Sequence, residues 1–496
     1  MHSAQGTATP SSSTGDAVAT ATSPPPGPKP APVLGWRGNA LSFFKNPIAT
    51  MRQLRADHGD VVRLVAHRHP PIFHQPSGDE RVSLVFGFGP EANRAILTDT
   101  ETYITSKPRG PKTEVADQLG QNILFMNGEL HRSRRRMLMP AFTRDSLKSH
   151  HDETVNETVR TLAQWQNGAQ VDVLAEMSGL TARIASRALL GLDPQADQND
   201  IAVTMRRVVN SMFSPATLVP IDLPGTPFRR LRRDMETTRD CLLDWIARRR
   251  REGTESSDIL AQMIAIRDED GTSLSDDELV AQSFVLFFAG HDTTSCALTW
   301  TLFLLERHPD VLEALAEEVA EHLGDEPPAY EQLYALPLLD RVIKESLRLL
   351  PPSVMFPRSV ARETSLLGHR LLPGDEVLFS PYITHQDASI YPDPSRFLPD
   401  RWIDRKVSAY EHLPFGAGPR RCLGGAFGAM QLRIIVPMVL QRWRYSIVPG
   451  TRIDPHVNVV MSPKGGLPVT VHQPGAQPKT VSRIGGYISE MVGGVS

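Results

Sequence analysis

Cysteine is scarce in this chain. Only three of its 496 residues are cysteines, and Cys241, Cys296 and Cys422 lie far apart in the sequence. This spacing supports neither a disulfide framework nor a C-x-x-C metal site. The cysteine usage therefore indicates a reducing compartment, and we expect a cytoplasmic protein. A single cysteine can still act as a nucleophile or as one ligand of a metal.

Net charge and long apolar runs are lacking as well. The 53 basic and 56 acidic side chains leave a formal charge of −3, so no global imbalance points to nucleic acid. Arginine clusters occur at RSRRR, RRLRR and ARRRR, but no nucleic-acid motif accompanies them. The first 34 residues contain no arginine and no apolar signal-peptide core. We therefore expect neither nucleic-acid binding nor a membrane anchor.

Composition divides the chain into three parts. Residues 1–34 are rich in Ala, Ser, Thr, Gly and Pro, which predicts a disordered lead with a stiff polyproline end. No Pro/Gly linker interrupts the middle of residues 35–472, so we expect them to form a single catalytic domain. Residues 473–496 form a tail with Gly and Pro breaks, and the sequence does not indicate its role.

Apolar periodicity predicts a helix-rich protein. Helical patterns dominate from about residue 90 to residue 350. Strand patterns occur at Val61–Val65, Val82–Phe86, Thr364–Leu367, Val377–Ser380 and Tyr445–Val448. We therefore expect a mainly α fold with small β-sheets, of the α+β class.

One predicted helix is unusually long and apolar. Ser275 and Glu278, three residues apart, form a capping box at its start. Residues 279–305 then contain one formal charge, Asp292, near their centre. A charge at the middle of a bilayer costs at least about 2.5–3.5 kcal/mol, so a membrane span is disfavoured. A helix through the core of a large soluble protein fits better.

The stretch FGAGPRRCLGG surrounds Cys422 with glycines, which let a backbone approach a flat, bulky group closely. Nearby backbone N–H groups and the adjacent Arg420 and Arg421 favour a thiolate, and a thiolate is a suitable ligand for iron. The alternative is a buried structural cysteine in a glycine-rich turn.

The stretch AGHDTTS lies in the long helix. Ala289 and Gly290 are small and open space on one face, beside Asp292 and Thr293, which carry exchangeable protons. The alternative is a threonine bonded to its own helix and an aspartate paired with a distant arginine.

The stretch KESLRLLPP places Glu345 and Arg348 three residues apart on one helix face, where they can pair. The surrounding residues are apolar, so the pair is expected to be buried and to need further polar partners.

Together these segments resemble the cytochrome P-450 family. FGAGPRRCLG fits the haem-ligand pattern F-x-x-G-x-R-x-C-x-G at every fixed position, and AGHDTT fits the oxygen-activation motif. ESLR fits E-x-x-R, and FLPDRW resembles the segment that supplies a second arginine to the family's Glu-Arg-Arg triad. The similarity spans about residues 35–472 and implies the cytochrome P-450 fold, with a long central helix over a haem.

The resemblance implies a site for heme b, iron protoporphyrin IX, with Cys422 as axial iron ligand. Asp292 and Thr293 would deliver protons to the co-substrate O₂. The other cofactor-binding residues that the resemblance implies are His131, Arg135, Ala289, Arg358, Phe415 and Arg420. Buried haem carboxylates need charge-assisted partners, which agrees with the cationic residues of this set.

The resemblance also implies a structural triad of Glu345, Arg348 and Arg401 behind the haem. This sequence departs from the family pattern in three places. His131 replaces a common tryptophan, PDRW replaces the commoner P-E-R-F while keeping Arg401, and THQDAS has Gln386 where many relatives have arginine. We assign the THQDAS segment no role.

By the same analogy, Phe287, Val354, Met355 and Phe356 line a mostly apolar substrate pocket. An apolar pocket implies a hydrophobic substrate such as a terpenoid, steroid, fatty acid or polyketide.

We therefore predict a monomeric haem-thiolate monooxygenase that hydroxylates or epoxidises its substrate. Electrons would come from NAD(P)H through a reductase and a ferredoxin or flavodoxin, and the arginine clusters could help to dock an acidic electron carrier. Two alternatives remain: a peroxide-dependent peroxygenase of the same fold, which typically lacks the acid–threonine pair, and a non-catalytic haem sensor or electron carrier.

Overall fold

The computed structural model describes residues 23–69, 71–73, 81–107, 113–191, 201–212, 217, 221–252, 258–268, 270–476 and 481–494. Within them the chain forms two compact units. Residues 23–106 and Phe356–Ser380 belong to the first unit, and the remaining described residues belong to the second. The single domain over residues 35–472 stays a prediction.

Helices make up most of the described chain. They are α1 (Trp36–Lys45), α2 (Pro47–His58), α3 (Gly89–Thr98), α4 (Glu114–Leu119), α5 (Gly128–Leu138), α6 (Arg144–Lys148), α7 (His151–Leu162), α8 (Val173–Leu190), α9 (Ile201–Met212), α10 (Pro227–Glu252), α11 (Ile259–Ala265), α12 (Asp276–Arg307), α13 (Pro309–Leu323), α14 (Pro337–Leu349), α15 (Pro381–His385), α16 (Gly425–Arg442) and α17 (Ile488–Met491).

The strands are short. They are β1 (Val61–His69), β2 (Val82–Gly87), β3 (Tyr103–Ile104), β4 (Gln170–Asp172), β5 (Phe356–Val360), β6 (Thr364–Leu366), β7 (His369–Leu371), β8 (Glu376–Phe379), β9 (Arg444–Ile447), β10 (Pro455–Val457), β11 (Met461–Pro463) and β12 (Pro468–His472). The expectation of a mainly α fold with small sheets is confirmed.

The first unit is built on a five-stranded sheet with strand order β1-β2-β8-β5-β3. Strands β2 and β8 pair in parallel, and the other neighbouring strands pair antiparallel. Every residue of β2 is buried, which is why its sequence, VSLVFG, is almost continuously apolar rather than alternating. Strands β6 and β7 form a separate hairpin.

The end of the predicted lead contacts this unit. The backbone carbonyl of Pro26 accepts a hydrogen bond from the N–H of Arg63 in β1, at 2.7 Å. The side chain of Asn39 donates to the carbonyl of Lys29, at 3.2 Å. Residues 23–34 therefore lie along the unit, whereas residues 1–22 fall outside the described residues.

The second unit contains the long helix α12 at its core. The capping box predicted at its start is confirmed, because Ser275 Oγ accepts from the Glu278 N–H and Glu278 Oε2 accepts from the Ser275 N–H. Residues 279–287 and 294–307 of this helix are buried on all faces, as expected for a helix inside a large core. In the described part of the chain, no helix is both long and apolar enough to cross a membrane.

Two small sheets complete the second unit. One has the strand order β4-β12-β9 and the other pairs β10 with β11. The C-terminal tail belongs to this unit: Gly485 forms a parallel bridge with Arg452, and α17 buries Ile488 and Met491 completely.

Candidate active site

Cys422 lies in the short loop that leads into α16. The loop contains a single 3₁₀ turn, Gly418–Arg420, and the N–H of Cys422 donates to the carbonyl of Phe415 at 2.8 Å. Gly416 and Gly418 have φ angles of 68° and 67°, in the left-handed region that glycine tolerates. The glycine spacing of the motif is therefore what the loop conformation requires.

The Cys422 side chain is accessible to solvent although protein atoms surround it closely. It is exposed by surface area, yet burial is the largest contribution to the pKa of its thiol and raises that pKa. The Gly424 N–H, Arg135 and Arg421 lower the pKa, but burial outweighs them. The expectation of a thiolate ligand stays a prediction, because burial penalises the anion unless a metal cation binds it.

Two arginines lie near this cysteine without a carboxylate partner. Arg420 Nη2 donates to the carbonyl of Met126 at 2.5 Å and to Asn127 Oδ1 at 2.8 Å, while its Nε is buried without a hydrogen-bond partner. Arg135 Nη2 donates to the carbonyl of Arg421 at 2.8 Å. Burial and the charge of Arg135 lower the pKa of Arg420 to about 10.

These observations fit a haem with carboxylate groups. Among the described residues, neither Arg135 nor Arg420 has an acidic side chain within ion-pair distance, so an anionic group would relieve the repulsion between them. His131 is buried on α5 one helical turn before Arg135, on the same helix face. The ring of Phe415 contacts Gly425, where a Cβ atom would lie 3.4 Å away.

The middle of α12 is partly open to solvent. Ala289 is its most exposed residue, Phe288, Gly290, Asp292 and Thr293 are half-buried, and Thr293 Oγ1 donates to the Ala289 carbonyl at 2.7 Å. Gly290 has a different function from the one expected. A Cβ atom there would lie 3.2 Å from Leu189 Cδ1, so Gly290 allows α8 to approach α12 closely rather than opening space.

The Asp292 carboxylate lies close to its neighbour His291, without a hydrogen bond to either ring nitrogen, rather than beside a distant arginine. Asp292 Oδ1 lies 2.8 Å from His291 Nε2, and among the described residues no arginine or lysine is within ion-pair distance of it. The His291 side chain is fully buried and its ring lies 5.2 Å from the ring of Phe287. The sequence analysis did not identify His291 as the group beside Asp292, although it is the adjacent residue in the motif.

The predicted triad forms as expected from the sequence. Glu345 accepts two hydrogen bonds from Arg348, at 2.8 and 2.9 Å, and one from Arg401 Nε at 2.8 Å. Glu345 and Arg348 are completely buried. Burial raises the pKa of Glu345, but the hydrogen bonds and charge of Arg348, together with Arg401, lower it further, and the net direction is down. The carboxylate is therefore held ionised inside the protein.

Trp402 adds a donor that the sequence analysis missed. Its indole N–H donates to Glu345 Oε2 at 2.9 Å, and the N–H of Leu398 donates to Glu345 Oε1 at 3.0 Å. The tryptophan that replaces the commoner phenylalanine after Arg401 thus supplies a hydrogen bond that phenylalanine lacks. Trp402 could have been recognised from its indole N–H, since a buried tryptophan usually finds an acceptor.

His385, in the THQDAS segment, connects the triad to the cysteine loop. Its Nδ1 lies 3.1 Å from the carbonyl of Arg348, and its Nε2 accepts from the N–H of Leu413 at 3.1 Å. The Leu413 carbonyl in turn accepts from the N–H of Gly416, in the loop that holds Cys422. We assigned this segment no role from its sequence, because the contacts of His385 with Arg348 and Leu413 join residues that are far apart in the chain.

The predicted pocket residues are partly accounted for by ordinary packing. Phe287 and Val354 are buried, and Met355 is half-buried. Phe356 and Arg358 belong to the first unit, where Phe356 stacks on Phe379 with ring centroids 5.4 Å apart. The Arg358 guanidinium lies 5.3 Å from the centre of the Phe379 ring. Their assignment to a pocket and to a haem carboxylate stays a prediction.

A comparison with protein-family models decides the family. The model described as Cytochrome P450 matches residues 25–469. The chain belongs to the cytochrome P450 family. This P450 is therefore a haem enzyme that uses O₂, and the match ends before the tail, residues 473–496.

Several curated proteins are similar to this P450 along most of its length. Cyclooctatin synthase of Streptomyces melanosporofaciens is 32% identical over 84% of the chain and 90% of its own length. Pentalenene oxygenase of Streptomyces avermitilis is 30% identical over 84% of the chain and 91% of its own length. With these monooxygenase relatives, the chain is a P450 monooxygenase that acts on a hydrophobic substrate and uses redox partners.

Solved structures share the fold. A retinoic acid-bound cyanobacterial CYP120A1 superimposes with a TM-score of 0.78 and 27% identity, covering 91% of this chain and 99% of its own. The haem domain of cytochrome P450DA superimposes with the same TM-score at 22% identity, which concerns the fold alone. The predicted P450 fold is confirmed.

Proposed function

We propose that this P450 hydroxylates or epoxidises a terpene skeleton, with Cys422 as axial ligand of iron protoporphyrin IX. The observation that carries the proposal is the cysteine loop: a solvent-accessible sulfur surrounded by protein, beside two arginines that have no carboxylate partner among the described residues. Bound haem supplies the activation of O₂ and the oxygen transfer. The protein supplies the ligand, the carboxylate-binding groups and the proton path.

Arg135 and Arg420, with His131 and Arg358, would bind the haem carboxylates, and Phe415 and Ala289 would contact the porphyrin. For Arg420 the contacts support this role, because its buried Nε is available to a further acceptor. For Ala289 the support is its exposure in the middle of α12, between half-buried neighbours. Arg358 is supported by the sequence resemblance alone.

Asp292 and Thr293 would handle protons. The Thr293 hydroxyl donates to the Ala289 carbonyl, so rotation about its Cα–Cβ bond frees the proton, while its oxygen lone pairs accept from a neighbouring donor. The Asp292 side chain is 19% exposed and can exchange protons with water, unlike the fully buried His291. A partly exposed carboxyl beside a hydroxyl is a suitable proton relay.

The terpene assignment is supported by the names of the relatives. These include Cyclooctatin synthase, Pentalenene oxygenase and, at 30% identity, Cyclooctat-9-en-7-ol 5-monooxygenase. The apolar character of Phe287, Val354, Met355 and Phe356 agrees with a hydrocarbon substrate. Electrons would come from NAD(P)H through a reductase and a ferredoxin or flavodoxin, in the cytoplasm, where the three free cysteines stay reduced.

A binding screen tests the substrate. The haem-loaded protein is titrated with cyclic sesquiterpene and diterpene hydrocarbons, their hydroxylated derivatives, steroids and fatty acids, and the haem spin-state shift is recorded. Saturable shifts with terpenes, followed by a product 16 mass units heavier in the presence of a ferredoxin and its reductase, are expected. Shifts confined to steroids or fatty acids would contradict the terpene assignment and leave the monooxygenase assignment intact.

The haem-loaded protein also distinguishes a monooxygenase from the two alternatives, a peroxygenase and a non-catalytic haem sensor or electron carrier. A peroxygenase would form product with hydrogen peroxide and without a reductase, and at a rate at least equal to that of the reductase system. A sensor or electron carrier would form none in either case. The Asp292–Thr293 pair favours the reductase- and O₂-dependent reaction, since peroxygenases typically lack it.

A further inference from the structure

The C-terminal tail follows the last residue that the family model matches, and its backbone bonds to residues within the matched part of the chain. The Arg483 carbonyl accepts from the Gly450 N–H, and the Gly485 N–H and carbonyl bond to Thr451 and Ile453 at 3.0 and 2.8 Å. Gly486 has a φ of 107°, and a Cβ atom there would lie 2.2 Å from the Ile453 carbonyl oxygen. Glycine is therefore required at this crossing.

Apolar and polar anchors hold the next residues. Ile488, Met491 and Val492 are buried to within 1% of their surface. The Tyr487 N–H donates to Asp454 Oδ1 at 2.8 Å and is the largest contribution that lowers the pKa of that carboxyl. From this anchored helix, the Gly493 N–H donates to the carbonyl of Ser395 at 2.9 Å.

Ser395 lies in the loop whose backbone carbonyls accept hydrogen bonds from the triad arginines. The carbonyls of Pro392 and Asp393 accept from Arg401, and those of Pro394 and Arg396 accept from Arg348. These are four of five consecutive carbonyls. The fifth, that of Ser395, accepts from the tail.

One residue of this loop has a backbone conformation that residues other than glycine rarely adopt. Asp393 has a φ of 47°, in the left-handed region, and it is an exposed residue. A non-glycine residue persists in that region when its surroundings determine it. Two arginine side chains donate hydrogen bonds to four of these carbonyls, and the tail donates one to the remaining carbonyl.

We propose that residues 481–494 position the loop 392–396, and through it the arginines of the Glu345–Arg348–Arg401 triad. The segment acts on the triad through this loop. Since His385 joins Arg348 to the cysteine loop, loosening the tail also weakens the hold on Cys422.

The test is hydrogen exchange of the Leu398 and Arg401 amides, whose N–H groups donate to Glu345 and to the Leu398 carbonyl. Gly493→Pro removes the donor to Ser395 but also adds a Cβ atom 3.2 Å from Ser395 Oγ, so Gly493→Ala, which adds the same atom and keeps the N–H, controls for that contact and should exchange more slowly than Gly493→Pro. Val492, at φ −123° and ψ 117°, already has the conformation that precedes proline. Exchange of both amides is expected to be at least about tenfold faster in this variant and in a deletion of residues 481–496.

A deletion of Val495 and Ser496 alone is the matched control and should leave exchange unchanged. A second readout is the urea concentration at which the reduced, CO-bound haem protein loses its red-shifted Soret band. That loss should precede global unfolding in Gly493→Pro and coincide with it in the control.

Unchanged exchange at Leu398 and Arg401 in Gly493→Pro would overturn the proposal, whether or not the longer deletion folds. The exchange measurement needs no substrate, so its result does not depend on the terpene assignment. If Cys422 were not the ligand, the Soret readout would fail in the wild type as well, while faster exchange would still support the positioning of the loop.

Discussion

Cys422 is the residue that we propose as ligand of the haem iron. We expect Cys422→Ser to abolish the strongly red-shifted Soret band of the reduced CO complex, because a serine oxygen does not supply the thiolate. Cys241→Ser is the control: Cys241 is partly buried on α10, and its replacement should leave the band in place. An unchanged spectrum in the Cys422 variant would rule out the ligand assignment.

Thr293 and Thr294 form a matched pair for the proton path. Both hydroxyls donate to a carbonyl one turn earlier, of Ala289 and Gly290, but Thr293 is more exposed and lies one turn from the open Ala289. Thr293→Ala should lower product formation by about 10²-fold or more while O₂ consumption continues and yields peroxide. Product per NAD(P)H oxidised is the measurement.

Thr294→Ala removes the same kind of helix bond at a buried position and should leave coupling close to that of the wild type. If both variants lost coupling equally, a general disturbance of α12 would explain the result. Full coupling in Thr293→Ala would exclude the proposed relay.

At the level of elements, the segment Leu398–Trp402 is joined to α14 by hydrogen bonds to the carboxylate of Glu345. Trp402→Phe removes the indole N–H from Glu345, and hydrogen bonds to charged groups contribute about 1.5–3 kcal/mol. We therefore expect the free energy of unfolding to fall by about that amount, with a further contribution from the smaller ring. Urea denaturation measures it.

Trp443→Phe provides the comparison. The Trp443 indole donates to the neutral carbonyl of Leu162 at 3.2 Å, so its loss should cost about 0.5–1.5 kcal/mol. Both substitutions remove the same atoms, and the difference between them isolates the charge of the acceptor. Equal losses would mean that Trp402 stabilises the segment by packing alone.

Elements with local signals were predictable, and those that depend on distant contacts were not. The capping box of α12 and the Glu345–Arg348 pair each join residues three apart, so their spacing is visible in the sequence. Trp402 reaches Glu345 across 57 residues, and His385 reaches Leu413 across 28. No periodicity reports which distant group a side chain will form a hydrogen bond with.

At the level of the whole molecule, buried histidines make stability depend on pH. Burial, with smaller contributions from neighbouring groups, lowers the pKa of His385 well below its ordinary value of 6.5 and that of His412 to about 4. Between about pH 6.5 and pH 4 the unfolded chain binds more protons than the folded one. The stabilisation is therefore complete above pH 6.5 and is lost as pH falls toward 4.

Each such histidine contributes a slope of up to about 1.4 kcal/mol per pH unit in that range. His412→Phe keeps a ring against Trp402, whose centroid lies 4.5 Å away, but removes the titrating group. Unfolding free energies measured at several pH values from 4 to 8 should show a shallower slope for this variant. An unchanged slope would show that His412 does not contribute.

The family, the glycine-rich loop around Cys422 and the triad pair were readable in the amino-acid sequence, because each rests on residues held at short, fixed spacings. The raised pKa of the Cys422 thiol, the packing of Gly290 against Leu189 and the position of Asp292 beside His291 were not readable. Burial sets the first, since the cost of an anion depends on how much protein surrounds it. The other two depend on which helix lies alongside and how each side chain is turned, as does the contact between the C-terminal tail and Ser395.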